Sequence, residues 1–355
     1  MKMTLRWFGK NHDTVSLQDI KQVPGCVGVI TTLYDTEPGE IWSRKDIKEL
    51  KEEIEEVGLE LSGIESVNIH DDIKIGLKTR DMYIENYIKT LENLGKEGID
   101  LVCYNFMPVF DWTRSDLAKE REDGSTVLSY DQDIIDKIDP DRMFEEMESH
   151  SKGFTLPGWE PERLSKVKEL FEMYEDVDEE KLFENLVYFL KAIMPICEEY
   201  RIRMAIHADD PAWSVFGLPR IINNKENIQR LLDAVPVMNN GITLCTGSLG
   251  SNPDNDIVDI IKSFEGRIHF GHIRNLIHHS PGKFDEAAHL SSDGSLDMYE
   301  IIKAFHDIGF SGPMRPDHGR MIWGEKAMPG YGLYDRALGA TYLNGLWEAI
   351  DKRSK

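Results

Sequence analysis

The chain is poor in cysteine, in positive charge and in long apolar runs. Only four cysteines occur among 355 residues: Cys26, Cys103, Cys197 and Cys245. They form no CxxC pair and no dense spacing, which argues against a disulfide-stapled scaffold and fits reducing, cytoplasmic conditions. No stretch approaches the roughly 18 apolar residues of a membrane span. The first ten residues carry charge and lack the apolar core of a secretion signal. Lysine and arginine together number 41 against 64 aspartates and glutamates, a formal net charge of −23. Such a surface repels a phosphate backbone, so neither nucleic acid nor a membrane is an expected partner. Low-complexity tracts and internal repeats are absent too, and nothing divides residues 1–355 into separate domains.

What is present is a rhythm. Eight strand-like runs occur, Met3–Phe8, Val27–Leu33, Glu60–Val67, Asp100–Phe106, Arg201–His207, Gly241–Gly247, Arg267–Ile273 and Gly312–Pro316. Most are followed by a polar loop and a helix-period segment, such as Arg44–Val57, Arg80–Lys96 and Asp256–Phe264. Repeated strand–helix units imply a parallel sheet, and eight of them imply closure into an α/β (β/α)₈ TIM barrel. One connection breaks the pattern. Between the fourth and fifth strands, residues 108–200 are acidic and helix-rich, where about 30 residues would serve a crossover. Helices are expected at Asp141–Ser149, Pro161–Tyr174 and Glu179–Tyr200. This helical insertion reads as a cap over the barrel mouth, or as a contact in a homo-oligomer.

Four potential metal ligands each end a short apolar run: His207 in RIRMAIH, Cys245 in GITLC, His272 in RIHFGH and Asp317 in GPMRPD. They lie 38, 27 and 45 positions apart, room for one strand–helix–strand unit each time. Side chains at the carboxyl ends of neighbouring barrel strands converge, and that is where such barrels keep their chemistry. Two imidazoles, a thiolate and a carboxylate suit a divalent transition ion with positions left for substrate. His269 and His272 are three apart, so a strand turns them to opposite faces. His272 is nearer the carboxyl end and is the ligand, leaving His269 to packing.

Neighbouring residues extend the site. Asp209 and Asp210 follow His207 and could partner ring nitrogens. Gly247, Ser248 and Gly250 follow Cys245 and could turn backbone N–H groups to an anion. Arg274 stands where it could grip a substrate carboxylate, or form an ion pair instead. His318 adjoins Asp317, so it leaves the metal to its neighbour and is free to work as acid or base. Tyr331 and Tyr334 are both candidate proton donors. Arg6, Trp7, Glu65, Ser66 and Asn105 close other strands with the polar and aromatic groups that hydroxyl-rich substrates favour.

The stretches MTLRWFG, CYNFMPVFDWTR, HADDP, LCTGSLG, RPDHGRMIWGE and PGYGLYDRALGA resemble the mannonate dehydratase family, a barrel type related to xylose isomerase. The resemblance spans Met3 to about Ile350. It implies dehydration of D-mannonate to 2-keto-3-deoxy-D-gluconate in hexuronate breakdown, with one Mn²⁺ or Fe²⁺ and no organic cofactor. It also implies His207, Cys245, His272 and Asp317 as metal ligands, with His318 and Tyr331 close to the substrate. The competing expectation is a metal-dependent sugar isomerase or epimerase on the same barrel. A binding protein with a structural zinc fits less well, since structural sites are built from short local spacings.

Overall fold

The computed structural model describes residues 1–137 and 167–354. Eight parallel strands close a barrel: β1 Lys2–Arg6, β2 Cys26–Thr31, β3 Glu60–Glu65, β4 Leu101–Tyr104, β5 Arg203–His207, β6 Asn240–Cys245, β7 Ile268–Ile273 and β8 Pro313–Pro316. Each pairs in parallel with the next, and β8 pairs back onto β1 through Lys2↔Pro313 and Met3↔Met314. All eight expected runs contain strands, most of them shorter than expected, with β1, β2 and β6 beginning one residue earlier. Arg201 is one reason for the trimming. It terminates the preceding helix in the left-handed conformation, at φ 58°, so β5 cannot begin there.

The helices start where short polar side chains can cap them. Ser43, Asp178, Asn224, Asp256 and Asp297 each accept a backbone N–H of the helix that follows. Helix Arg80–Lys96 and helix Glu179–Tyr200 carry the bounds expected from their periodicity. Their apolar faces bury Leu91 and Leu94, and Leu186, Phe189 and Ile193, in the main core outside the barrel. Inside the barrel a separate small plug of Ile30, Leu101, Cys103, Ala205 and Phe270 fills the space beneath the mouth.

The insertion differs from the expected helical one. Its first part is a hairpin, Asp116–Glu120 with Thr126–Asp131. These strands join Asn275–Ser280 and Lys283–Ala287, which follow β7, in a four-stranded antiparallel sheet beside the barrel. Helix Val167–Tyr174 lies within the expected Pro161–Tyr174, whose first residues fall outside the described ones, as does Asp141–Ser149. The hairpin also bridges the loop after β8, at Thr126↔Met321.

His269 is a packing residue at the barrel base, 6% exposed, with Nε2 donating to the Met238 carbonyl at 3.1 Å. Burial first, then the Arg203 and Arg267 charges, push its pKa down to about 4. A histidine held neutral in this way favours the folded state above its ordinary pKa of about 6.5, and that contribution is lost as pH falls toward the folded value. Between pH 6.5 and 4.5 the wild-type unfolding free energy should therefore fall by about 2–3 kcal/mol more than that of His269→Gln. Denaturant curves at the two pH values measure the difference; equal losses in the two proteins would remove His269 as the cause.

Candidate metal centre

Strand register brings the four ligands together. Cys245 lies directly opposite His272, His207 opposite Thr243, and His272 opposite Arg315. From β5 to β8 the ligands thus climb four residues over three strand steps. Barrel strands are slanted by about one residue per strand, so this climb keeps the ligands level at the mouth. Their donor atoms all lie within 4.8 Å of one another. His207 Nε2 is 3.1 Å from His272 Nδ1, His272 Nδ1 is 3.6 Å from Asp317 Oδ1, and Cys245 Sγ is 3.6 Å from Asp317 Oδ2. Donors at about 2.0–2.3 Å around one ion stand roughly 3.3–3.8 Å apart, so the set fits a divalent transition ion. His207 Nδ1 donates to the Ala208 carbonyl at 2.6 Å, which leaves the Nε2 lone pair facing the cluster.

The electrostatics favour the same site. Burial alone would raise the Cys245 thiol, but the Arg274 charge and the adjoining His207 and His272 imidazoles bring it well below its ordinary range. The loop after Cys245 forms a short helix, Thr246–Gly250, whose Ser248 N–H and Oγ lie 3.4 and 3.0 Å from Sγ. The donors expected to meet an anionic ligand therefore serve the thiolate. Glu65, Cys103 and His272 form a second cluster within the same 4.8 Å limit. It is a poor cage. Burial drives the Cys103 thiol well up, and Glu65 already holds Arg6 at 3.2 Å and Arg315 at 3.1 Å.

Behind the ligands lies a buried ionic network. Arg274 is 1% exposed, and each of its nitrogens is committed. Nε bonds Asp317 at 3.0 Å, Nη1 bonds Glu286 at 2.9 Å, and Nη2 bonds Asp210 and Ser248. Arg114, fully buried, grips Asp210 at 2.8 and 3.0 Å and Glu286 at 2.7 Å. Asp209 instead accepts the Ile222 N–H, so neither aspartate after His207 meets a ring nitrogen. Glu286 then reaches His318 Nδ1, and His318 Nε2 lies 3.0 Å from the Tyr331 hydroxyl. Tyr331 is buried against Phe8, whereas Tyr334 is 43% exposed.

A cavity opens over this assembly, lined by His207, Asp317, His318, Tyr331, Arg6 and Asn105 among others. Two residues expected to bind substrate are not part of its lining. Trp7 is buried and faces a separate surface groove beside His12 and Asp35. Arg274 is spent on three carboxylates, the ion-pair alternative in its buried form. Arg315, Arg114 and Glu286 were not singled out as site residues. Arg315 sits two positions before Asp317 and so shares its face of β8, a signal available in the sequence. Glu286 lies in an outer strand with no periodic pattern and offered none.

A closed parallel barrel that gathers candidate metal ligands at the carboxyl ends of its strands has the architecture in which (β/α)₈-barrel enzymes keep their chemistry. A xylose isomerase domain protein from Planctomyces limnophilus shares that fold, with a TM-score of 0.55 at 11% identity over 99% of both chains. Nearer relatives narrow this. The family model described as D-mannonate dehydratase (UxuA) matches residues 1–355. A mannonate dehydratase of Brachyspira hyodysenteriae is 72% identical over 100% of both chains, and one of Thermotoga neapolitana is 60% identical over 99% of this chain and 98% of its own. The crystal structure of mannonate dehydratase from Streptococcus suis serotype 2 superposes with a TM-score of 0.91 at 45% identity, covering 100% of this chain and 96% of that one. The chain belongs to the mannonate dehydratase family.

Arg274 orients Asp317 and sets the Cys245 charge, so its geometry governs the cage. Arg274→Lys keeps the charge and loses the fork; metal affinity should fall by about 10–100-fold with the fold retained. Metal titration of the stripped protein followed by elemental analysis checks this, and unchanged affinity would place Arg274 outside the site's control.

Proposed function

We propose that this protein dehydrates D-mannonate to 2-keto-3-deoxy-D-gluconate and water, in hexuronate catabolism in the cytoplasm. The observation that carries the reading is the His318–Tyr331 pair, 3.0 Å apart, lining one cavity with His207 and Asp317 of the four-residue cluster. Four free cysteines support the cytoplasmic assignment. His207, Cys245, His272 and Asp317 hold the ion, for which Mn²⁺ or Fe²⁺ suits a mixed nitrogen, sulfur and oxygen set. When bound, it supplies positive charge where the weakly acidic proton beside the substrate carboxylate is removed.

The protein's own groups supply the rest. The proton on C2 passes to one group, and its electron pair forms the C2=C3 bond. The C3 hydroxyl departs with a proton from a second group, as water. The resulting enol gives up its C2 hydroxyl proton as C3 takes one, and becomes the 2-keto acid. His318 Nε2 receives the first proton, a reading supported by its position in the cavity lining beside Tyr331. Burial, with the Asp317 charge, pushes the Tyr331 phenol well up, so it stays protonated and supplies the second. At 3.0 Å the histidine can then return a proton to the tyrosine.

Arg315 anchors the substrate carboxylate in place of Arg274. It lines the cavity, is 1% exposed, and its Nε and Nη1 have no hydrogen-bond partner among the described residues. A buried guanidinium left short of acceptors favours an anion. Arg6 and Asn105 line the same cavity and orient the hydroxyl chain. The insertion caps the mouth, a reading supported by Asp111 and Trp112 in the lining. Exposed Trp323 and Tyr334, in ring contact at 5.8 Å, support a homo-oligomer.

The metal-loaded protein incubated with D-mannonate should release a 2-keto-3-deoxy acid. Return of an epimeric or isomeric sugar acid instead would favour the isomerase reading. His318→Asn and Tyr331→Phe should each lower turnover by about 10²–10⁴-fold, the usual worth of a positioned acid or base. Tyr334→Phe, changing an exposed ring, should stay within about threefold of wild type. Hydrogen–deuterium exchange at C2 separates the roles: Tyr331→Phe should still exchange that proton, and His318→Asn should not.

A further inference from the structure

We propose that Glu286, contributed by the outer antiparallel sheet, is a positioning residue for this reaction, holding the Nδ1–H of His318 so that only Nε2 faces Tyr331 and the cavity. The inference rests on the reading of His318 as the proton-handling group. Its geometric basis is independent of any substrate. Both Glu286 oxygens lie within reach of Nδ1, at 2.8 and 2.9 Å. An ionised carboxylate only accepts hydrogen bonds, so Nδ1 must carry a proton. Nε2 is then the nitrogen left to exchange protons.

The division of labour within the carboxylate is informative. Oε1 takes Arg114, Arg274 and His318, whereas Oε2 serves His318 alone. Neutralising the two arginines accounts for one oxygen; the other is accounted for only by the histidine. Burial acts to raise the Glu286 pKa, but His318, Arg274 and Arg114 hold it down at about 2, so it remains an acceptor across the working range. The imidazole is confined from its other sides as well. Trp112 lies 5.9 Å from its ring and Tyr331 4.9 Å, edge-on. Glu286 stands on the strand Lys283–Ala287, which pairs with Thr126–Asp131 of the insertion. The sheet outside the barrel therefore takes part in setting the reacting nitrogen.

The test uses full-length Glu286→Gln, which keeps size and removes charge, alongside wild type. With D-mannonate, kcat should fall about 100-fold while KM stays within about threefold, with metal content per chain unchanged. Turnover within threefold of wild type would overturn the proposal. So would a loss of kcat that tracks a loss of bound metal, since Glu286 would then act through Arg274 on the cage. The second measurement is the ¹⁵N spectrum of the Zn²⁺-loaded proteins, with the His318 signals identified by their absence in His318→Asn. Wild type should show Nδ1 protonated, and Glu286→Gln should move that proton upfield; a bare Nδ1 in wild type would overturn the proposal even if Glu286→Gln does not fold. Should wild type fail to turn over D-mannonate, the functional reading fails, and the spectrum still decides whether Glu286 sets the tautomer.

Discussion

The structure depends on a set of opposite charges removed from water. Arg114 and Arg274 face Asp210 and Glu286 with almost no exposure, and the set extends to Asp317 through Arg274 and to His318 through Glu286. Desolvating such groups costs several kcal/mol per ion, and each is tolerated only because the others surround it. The network therefore has few alternative arrangements. It ties Asp317 after β8, the loop after β5 and the outer sheet into one unit. Mutual attraction within this unit keeps the four-residue cluster and the His318–Tyr331 pair in register.

Different parts of this arrangement had different visibility in the sequence. The barrel was readable because each strand is a short apolar run, and strand-end side chains must converge once eight such runs close. The metal cluster followed from that closure: His207, Cys245, His272 and Asp317 each stand at a carboxyl end, and a two-residue period separates His272 from His269. The accessory sheet was not readable. Its strands, such as Asp116–Glu120 and Asn275–Ser280, alternate poorly, and its two hairpins are joined through Thr126–Asp131 and Lys283–Ala287, paired at Asp131↔Lys283, which no local period reports. The helix-rich reading of the insertion missed its hairpin there, because strongly periodic helices such as Glu179–Tyr200 dominated the region.

Arg274 illustrates the limit for single residues. An arginine one step beyond a metal-binding strand has the same sequence signature whether it meets a substrate or a buried carboxylate. Only the positions of Asp210, Glu286 and Asp317 decide between the two, and all three come from other elements of the chain. Arg315, by contrast, shares the inward face of Asp317 by simple alternation, and its place in the cavity was available from that rule.

The placement of Glu286 and Arg114 outside the eight strand–helix units separates two heritable parts. The candidate metal cluster stands on the barrel strands, an architecture shared with chains as distant as 11% in identity. The carboxylate against His318 belongs to an appended sheet formed from two excursions of the chain, after β4 and after β7. A lineage that gained, lost or remodelled those excursions would change what surrounds His318 while inheriting the barrel strands intact. Divergence in chemistry on a common barrel would then be written in the excursions, where comparison of barrel strands alone does not look.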